Sequence, residues 1–215
     1  MTETRESGGG PETFRLGVLI SGSGSNLQSI IDRLHRGEDN IEVALVVSDN
    51  PEAYGLKRAE EAGIPAAILP LEDFSDRAGH DLAMAGELEN HSVDLVVLAG
   101  YMCVVTPEFL GRFPGRVINL HPALLPSFPG ATPIEDAMQY GVRVTGVTVH
   151  FVDEGVDTGP VILQQAVDIN YNDSIEKLRE RIHKVEHMLL PQAISLIAAG
   201  RVRLEGENSR RVVIE

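Results

Sequence analysis

Asn119 and His121 stand two residues apart at the end of the run Val117-Ile-Asn-Leu-His121, directly before Pro122. Val117, Ile118 and Leu120 predict a strand. Residues i and i+2 of a strand share a face, so the amide and the imidazole lie side by side. Pro122, Pro126 and Pro129 then turn the chain into a loop, because proline cannot continue a central ladder. Open α/β sheets bind ligands at the C-terminal ends of their strands. An amide donor and an imidazole at such an end suit an oxygen that becomes negative in acyl chemistry. The plainer alternative is that both side chains only fix the loop. Asp157 lies in the turn Asp153-Glu-Gly-Val-Asp-Thr-Gly159. It is either a local turn former or the carboxylate that orients His121 and favours its charged form. No Gly-x-Ser-x-Gly elbow accompanies these residues, so a serine nucleophile is not indicated.

A second candidate is Gly22-Ser-Gly-Ser-Asn26, between an apolar run and a helical pattern. Glycines let the backbone approach a ligand, and a helix N-terminus offers free N–H groups to a phosphate. Leu27 stands where a dinucleotide fingerprint needs its third glycine, and no Gly-Lys-Ser/Thr follows. The competing reading is a tight strand-to-helix turn. Tyr101-Met-Cys-Val-Val105 follows another apolar run and Gly100, and is either plain core or one wall of a pocket for a flat aromatic ligand. His80, His91, His150, His183 and His187 lack metal-ligand spacing. His183-Lys-Val-Glu-His187 places its glutamate differently from His-Glu-x-x-His, so no metal is expected.

The elements that must position these groups follow from periodicity. Strands are expected at residues 14–21, 41–48, 66–69, 93–99, 117–120, 144–152 and 161–169, with a terminal hairpin at 202–204 and 212–214. Helices are expected at 26–36, closed by Gly37, at 53–62, closed by Gly63, and at 76–89. Thr106-Pro107 and Thr132-Pro133 each read as a capping threonine with proline in the first turn. A long helix runs from 173 or 174 to about 199. The βαβαβ order of the first half implies a doubly wound, Rossmann-like α/β fold with a mostly parallel sheet. The second half extends that sheet with mixed strand directions.

The 215 residues bound the chain to one domain, expected over 14–215 behind a disordered polar tail at 1–13. The formal charge of −14 argues against a nucleic-acid surface, yet leaves room for a small anionic ligand in a local pocket. A single cysteine, Cys103, excludes an intrachain disulfide and fits a reducing, cytoplasmic compartment. No apolar run is long enough to cross a membrane, and the N-terminal residues have no apolar signal segment.

Four stretches occur in order: Leu19-Ile-Ser-Gly-Ser-Gly-Ser-Asn-Leu-Gln28, Leu98-Ala-Gly-Tyr-Met102, Asn119-Leu-His-Pro-Ala-Leu-Leu-Pro126 and His150-Phe-Val-Asp-Glu-Gly-Val-Asp-Thr-Gly-Pro-Val-Ile162. Over about residues 15–204 they make the chain resemble the phosphoribosylglycinamide formyltransferase family. The resemblance implies the formyltransferase fold and formyl transfer from the co-substrate 10-formyltetrahydrofolate to the amine of glycinamide ribonucleotide, in purine biosynthesis and without a metal. It implies that Asn119, charged His121 and Asp157 are catalytic. Gly24, Ser25, Asn26 and Glu186 would hold the ribonucleotide phosphate and glycinamide. Arg77, Met102, Cys103, Val104, Val105 and Asn119 would hold the folate. Such a protein would be a monomer or homodimer. Cys103 stands where many relatives carry arginine, and the loop Gly130-Ala-Thr-Pro-Ile134 lacks a histidine often found there. The nearest rival is 10-formyltetrahydrofolate hydrolase, which uses similar residues with water as acceptor. Methionyl-tRNA formyltransferase is longer and binds tRNA. A non-catalytic folate or nucleotide sensor would not need the oxyanion pair. A dinucleotide dehydrogenase would need a glycine at position 27 and an acid closing the second strand, where Asp49 is the candidate.

Overall fold

The computed structural model describes residues 13–37, 39–206 and 210–215. All but the last residue of the expected N-terminal tail lies outside the described residues. In chain order the elements are β1 (Phe14–Ile20), α1 (Ser25–Leu34), β2 (Ile41–Ser48), α2 (Tyr54–Glu61), β3 (Ala66–Ile68), α3 (Arg77–Asn90), β4 (Leu95–Leu98), α4 (Pro107–Arg112), β5 (Val117–His121), α5 (Pro133–Tyr140), β6 (Val144–Phe151), β7 (Val161–Asp168), α6 (Ile175–Ala198), β8 (Val202–Leu204) and β9 (Val212–Ile214). Seven strands form one sheet in the order β3-β2-β1-β4-β5-β6-β7, and β8 pairs β9 separately. The pairs from β3 through β5 are parallel, whereas β5–β6 and β6–β7 are antiparallel. The expected mixture of a parallel first half and mixed second half is what forms.

Both sheet faces are buried over β1, β2 and β4, which explains their near-continuous apolar sequences. Alternate residues enter two cores. Val18, Ile20, Val97, Ile118 and Leu120 pack with α1 and α6 residues such as Ile30 and Leu190. Leu19, Val96, Leu98 and Val117 pack with Met84 and Leu88 of α3 and Phe109 of α4. By the same alternation Asn119 and His121 follow Val117 onto the second face, at the end of β5. Here the proline loop is the cover. Thr148 of β6 donates to the Ala123 carbonyl at 2.7 Å and accepts from the Leu125 N–H at 3.1 Å. The Gln164 amide donates to the Leu125 carbonyl and to Thr148, both at 2.9 Å. Gly146 leaves space for Leu124, whose side chain would lie 2.5 Å from an added Cβ.

Three local expectations change. Helix α1 closes at Leu34, not at Gly37, because His35 bridges to Ile41 and Arg36 takes the left-handed conformation at φ 56° as the chain enters β2. Thr106 caps α4 by accepting the Phe109 N–H, as expected. Thr132 makes no side-chain cap to α5: its backbone is not in the extended capping conformation, and its hydroxyl donates to Asp136 at 3.2 Å instead. The strand expected at 93–99 forms only over Leu95–Leu98.

Gly24 takes φ 67°, and a Cβ there would sit 2.6 Å from the Gly55 Cα. Gly24→Ala therefore combines backbone strain with a backbone clash. It is expected to cost about 1–3 kcal/mol in chemical denaturation. An unchanged midpoint and slope would contradict this close approach.

Candidate active site

The C-terminal ends of β1 and β4 are the place where strand order reverses, and two adjoining features form there. The first is the Gly24-Ser-Asn26 turn. Helix α1 starts at Ser25 with no side chain capping it, and its first internal bond is Gln28 N–H to the Gly24 carbonyl at 2.9 Å. The N–H groups of Ser25, Asn26 and Leu27 therefore precede any intrahelical acceptor. Asn26 donates to the buried Glu186 carboxylate at 3.2 Å, and its own Oδ1 is buried with no hydrogen-bond partner. The structure thus joins Gly24, Ser25, Asn26 and Glu186, although Glu186 lies 160 residues from Asn26.

The second feature is a cleft of about 350 Å³. Met102, Cys103, Val104 and Val105 form one wall, and Asn119, His121, His150 and Asp157 form its polar end. Met102 and Val104 are 75% and 61% exposed at the rim. Ser21 links the features: its N–H donates to the Gly100 carbonyl at 3.1 Å and its hydroxyl accepts from the Met102 N–H at 3.0 Å. The wall is anchored from behind by fully buried Asp81, which accepts the Thr106 N–H at 2.7 Å and pairs with Arg77 at 3.0 Å.

Arg77 does not line the cleft. Its guanidinium packs over the Tyr101 ring, 5.9 Å from the centroid, and donates to the Tyr101 hydroxyl at 3.4 Å. The arginine expected at the folate is thus next to the wall residues Tyr101 and Cys103 and not among the side chains that line the cleft itself. The reason is the Asp81 ion pair, one helical turn along α3. The Cys103 thiol donates to Asp49 at 3.3 Å. Burial pushes this thiol's pKa up, and the hydrogen bond to Asp49 adds to that while Arg77 opposes it.

Asn119, His121 and Asp157 do meet. Asp157 Oδ2 accepts the Gly130 N–H at 2.8 Å and lies 3.4 Å from His121 Nδ1. Its Oδ1 accepts from the Asn119 amide at 3.4 Å and lies 3.7 Å from His150 Nε2. His121 Nε2 donates to the Phe128 carbonyl at 2.8 Å. Both His121 nitrogens thus face acceptors. Burial works to raise the Asp157 pKa. Hydrogen bonds from His150 and Gly130, with the charges of His121 and His150, outweigh it and hold the carboxyl below its usual value. Several contacts are long, as catalytic hydrogen bonds often are before substrate draws them together.

His150 is a participant that sequence reasoning missed. Its Nδ1 faces the Phe151 carbonyl at 2.8 Å, and its Nε2 lies 3.4 Å from the Asn119 amide and points toward Asp157. The available signal was a polar residue in an otherwise buried strand, two positions after Thr148. Among the described residues no group of three or more His, Cys, Asp or Glu side chains is arranged to hold a metal ion. No described helix is long and apolar enough to cross a membrane.

The chain belongs to the formyl transferase family, whose model matches residues 14–194. Phosphoribosylglycinamide formyltransferase of Haemophilus influenzae is 43% identical over 191 residues, covering 89% of this chain and 90% of that protein. The solved glycinamide ribonucleotide transformylase 1 of Symbiobacterium toebii superposes with a TM-score of 0.91 at 47% identity, covering 97% of this chain and 99% of the other. The trifunctional purine biosynthetic protein adenosine-3 of Chironomus tentans is 45% identical over 192 residues, 88% of this chain. The chain spans only 14–20% of the length of such trifunctional relatives.

The lowered Asp157 pKa has a consequence for stability. A carboxyl depressed in the folded state stabilises above its unfolded pKa, about 3.9, and loses that contribution as pH falls through the folded value. Asp157→Asn is therefore expected to be less stable than the parent at pH 6, with the gap closing below about pH 4. Denaturant titrations across this range check it. A gap that stays constant down to pH 3 would contradict the assignment.

Proposed function

We propose that this chain transfers the formyl group of 10-formyltetrahydrofolate to the amine of N1-(5-phosphoribosyl)glycinamide. The observation that carries this is the polar group Asn119, His121, His150 and Asp157 at the end of an apolar cleft, joined through Ser21 to a phosphate-type turn. The cleft suits a flat, largely apolar molecule whose reactive end is polar. Met102 to Val105 would flank its ring, and Asn119 would reach its reactive end. The folate supplies an activated formyl carbon. The N–H groups at Ser25 and Asn26 would take the ribonucleotide phosphate, and Glu186, bonded to Asn26 at the side of this turn, would face the ribonucleotide between its phosphate and its glycinamide end.

In this reading the Asn119 amide faces the formyl oxygen and donates to it, while the charged His121 ring beside it, its own N–H groups held by Asp157 and the Phe128 carbonyl, stabilises the developing negative charge through space. Asp157 offsets the charge of His121 and keeps its ring oriented through Nδ1. The Phe128 carbonyl holds the opposite nitrogen. The attacking amine gives up a proton and the departing folate nitrogen takes one. Asp157 and His121 are the acceptor and donor placed to carry it. No covalent enzyme intermediate is required.

The direct test follows tetrahydrofolate release from 10-formyltetrahydrofolate with and without glycinamide ribonucleotide. Release that needs the ribonucleotide, with formylated product, is expected. Release without it would replace this reading by the hydrolase. Asn119→Ala and His121→Ala are each expected to lower the transfer rate by about 10²–10³ while circular dichroism stays that of the parent. Near-normal turnover by either variant would overturn the assigned roles.

A further inference from the structure

A second titratable group adjoins the phosphate-type turn, and the mechanism above does not use it. His183 Nδ1 lies 2.7 Å from Glu186 Oε2, the same oxygen that accepts from Asn26 at 3.2 Å. Glu186 is 4% exposed, so this carboxylate has little water to balance its charge. The His183 ring stacks almost parallel on His187, with centroids 6.2 Å apart and planes 8° off. His187 Nε2 and Asn26 Oδ1 are both buried and without hydrogen-bond partners. Beside them runs a groove of about 440 Å³ lined by Ser25, Gln28, Asp32, Arg33, Arg58 and His187, among others. The unpaired Asn26 oxygen can accept from a ligand hydroxyl or amine, and Arg33 and Arg58 outnumber Asp32 along the groove, which together favour a polar ligand that carries an anionic group.

We propose that His183 is a positioning residue for the ribonucleotide: it holds Glu186 against Asn26 and, by gaining or losing a proton, sets how tightly the adjacent turn binds a phosphate. This rests on the reading that the Gly24-Ser25-Asn26 turn takes the ribonucleotide. The shared oxygen places His183 Nδ1 within about 6 Å of the Asn26 amide. Protonated, His183 cancels the charge of Glu186. Neutral, it leaves the Glu186 charge balanced only by the Asn26 amide, and repulsion between that carboxylate and a phosphate roughly 6 Å away alters binding about threefold to tenfold.

The charged neighbours assign the two rings different states. The hydrogen bond to Glu186 raises the pKa of His183 above its ordinary 6.5, with burial and Arg179 opposing. Burial lowers that of His187, and His183, Arg33 and Arg58 add to that while Glu186 opposes. Thus α6 contributes Arg179, Glu186 and His187, α1 contributes Arg33 and, across the groove lining, Asp32, and α2 contributes Arg58. His183 is the ring that takes the proton, and its effect on binding is full at pH 6 and lost as pH rises through its raised pKa.

The test compares the KM for glycinamide ribonucleotide, and kcat, in the parent, His183→Gln and His183→Lys between pH 6 and pH 9. Ratios to the parent cancel the titration of the substrate itself. Glutamine keeps a donor to Glu186 without charge. Its KM should be about fivefold above the parent at pH 6 and should converge on it at pH 9. Lysine keeps the charge throughout, so its KM should match the parent at pH 6 and fall below it at pH 9. The ratios of kcat should move far less than those of KM. Ratios of KM that do not change with pH overturn this inference alone. A parent protein with no ribonucleotide-dependent turnover overturns the formyltransferase reading and this inference with it.

Discussion

The Asp157 carboxylate is the point at which separately formed pieces of the chain become one site. Four groups from three segments converge on it: Asn119 and His121 from β5, the Gly130 N–H from the end of the proline loop, and His150 from β6. Asp157 itself takes φ 54°, a left-handed conformation that aspartate tolerates better than most residues. That conformation sits among bonds that fix it from several sides, with the side chain 10% exposed. Without the carboxylate, the Gly130 N–H and two imidazoles would share one small, buried space with no anion to orient them.

The fold creates this convergence by a change of strand direction. Parallel strands β1, β2 and β4 need helices on both faces, and α1, α3, α4 and α6 provide them. Beyond β5 the sheet turns antiparallel, and the proline loop covers the face that carries Asn119 and His121. The loop can do this because Thr148 and Gln164 satisfy the backbone at Ala123 and Leu125. Its far end then returns to the site, with the Phe128 carbonyl on His121 and the Gly130 N–H on Asp157. The loop is a structural member of the site as much as β5 is.

Where a feature depended on local pattern, the sequence made it legible. Val117-Ile-Asn-Leu-His121 alternates and ends at proline, so the shared face of Asn119 and His121 followed from strand geometry. The Gly-rich turn before α1 followed from its position between a strand and a helix. Where a feature depended on distant partners, it was hidden. His150 looked like one more buried strand residue, because its pairing with Asn119 is set by the β5–β6 register. The Phe128 carbonyl carries no side-chain signature. Arg77 was expected at the folate, and its pairing with buried Asp81, which holds the guanidinium out of the cleft lining, was not legible. His183 and His187 read as ordinary helix residues until Glu186 and Asn26 were brought beside them.

The central claim is that His121 and Asp157 act as one unit and not as two independent contributors. A double-mutant cycle on the single-turnover formyl-transfer rate tests this most directly, using His121→Ala, Asp157→Ala and the double variant. Residues that work through one another are strongly non-additive. The account predicts that the double variant is about as slow as the slower single variant. A double variant slowed by the product of the two single effects would contradict it, and would mean that Asp157 contributes through contacts that do not pass through His121.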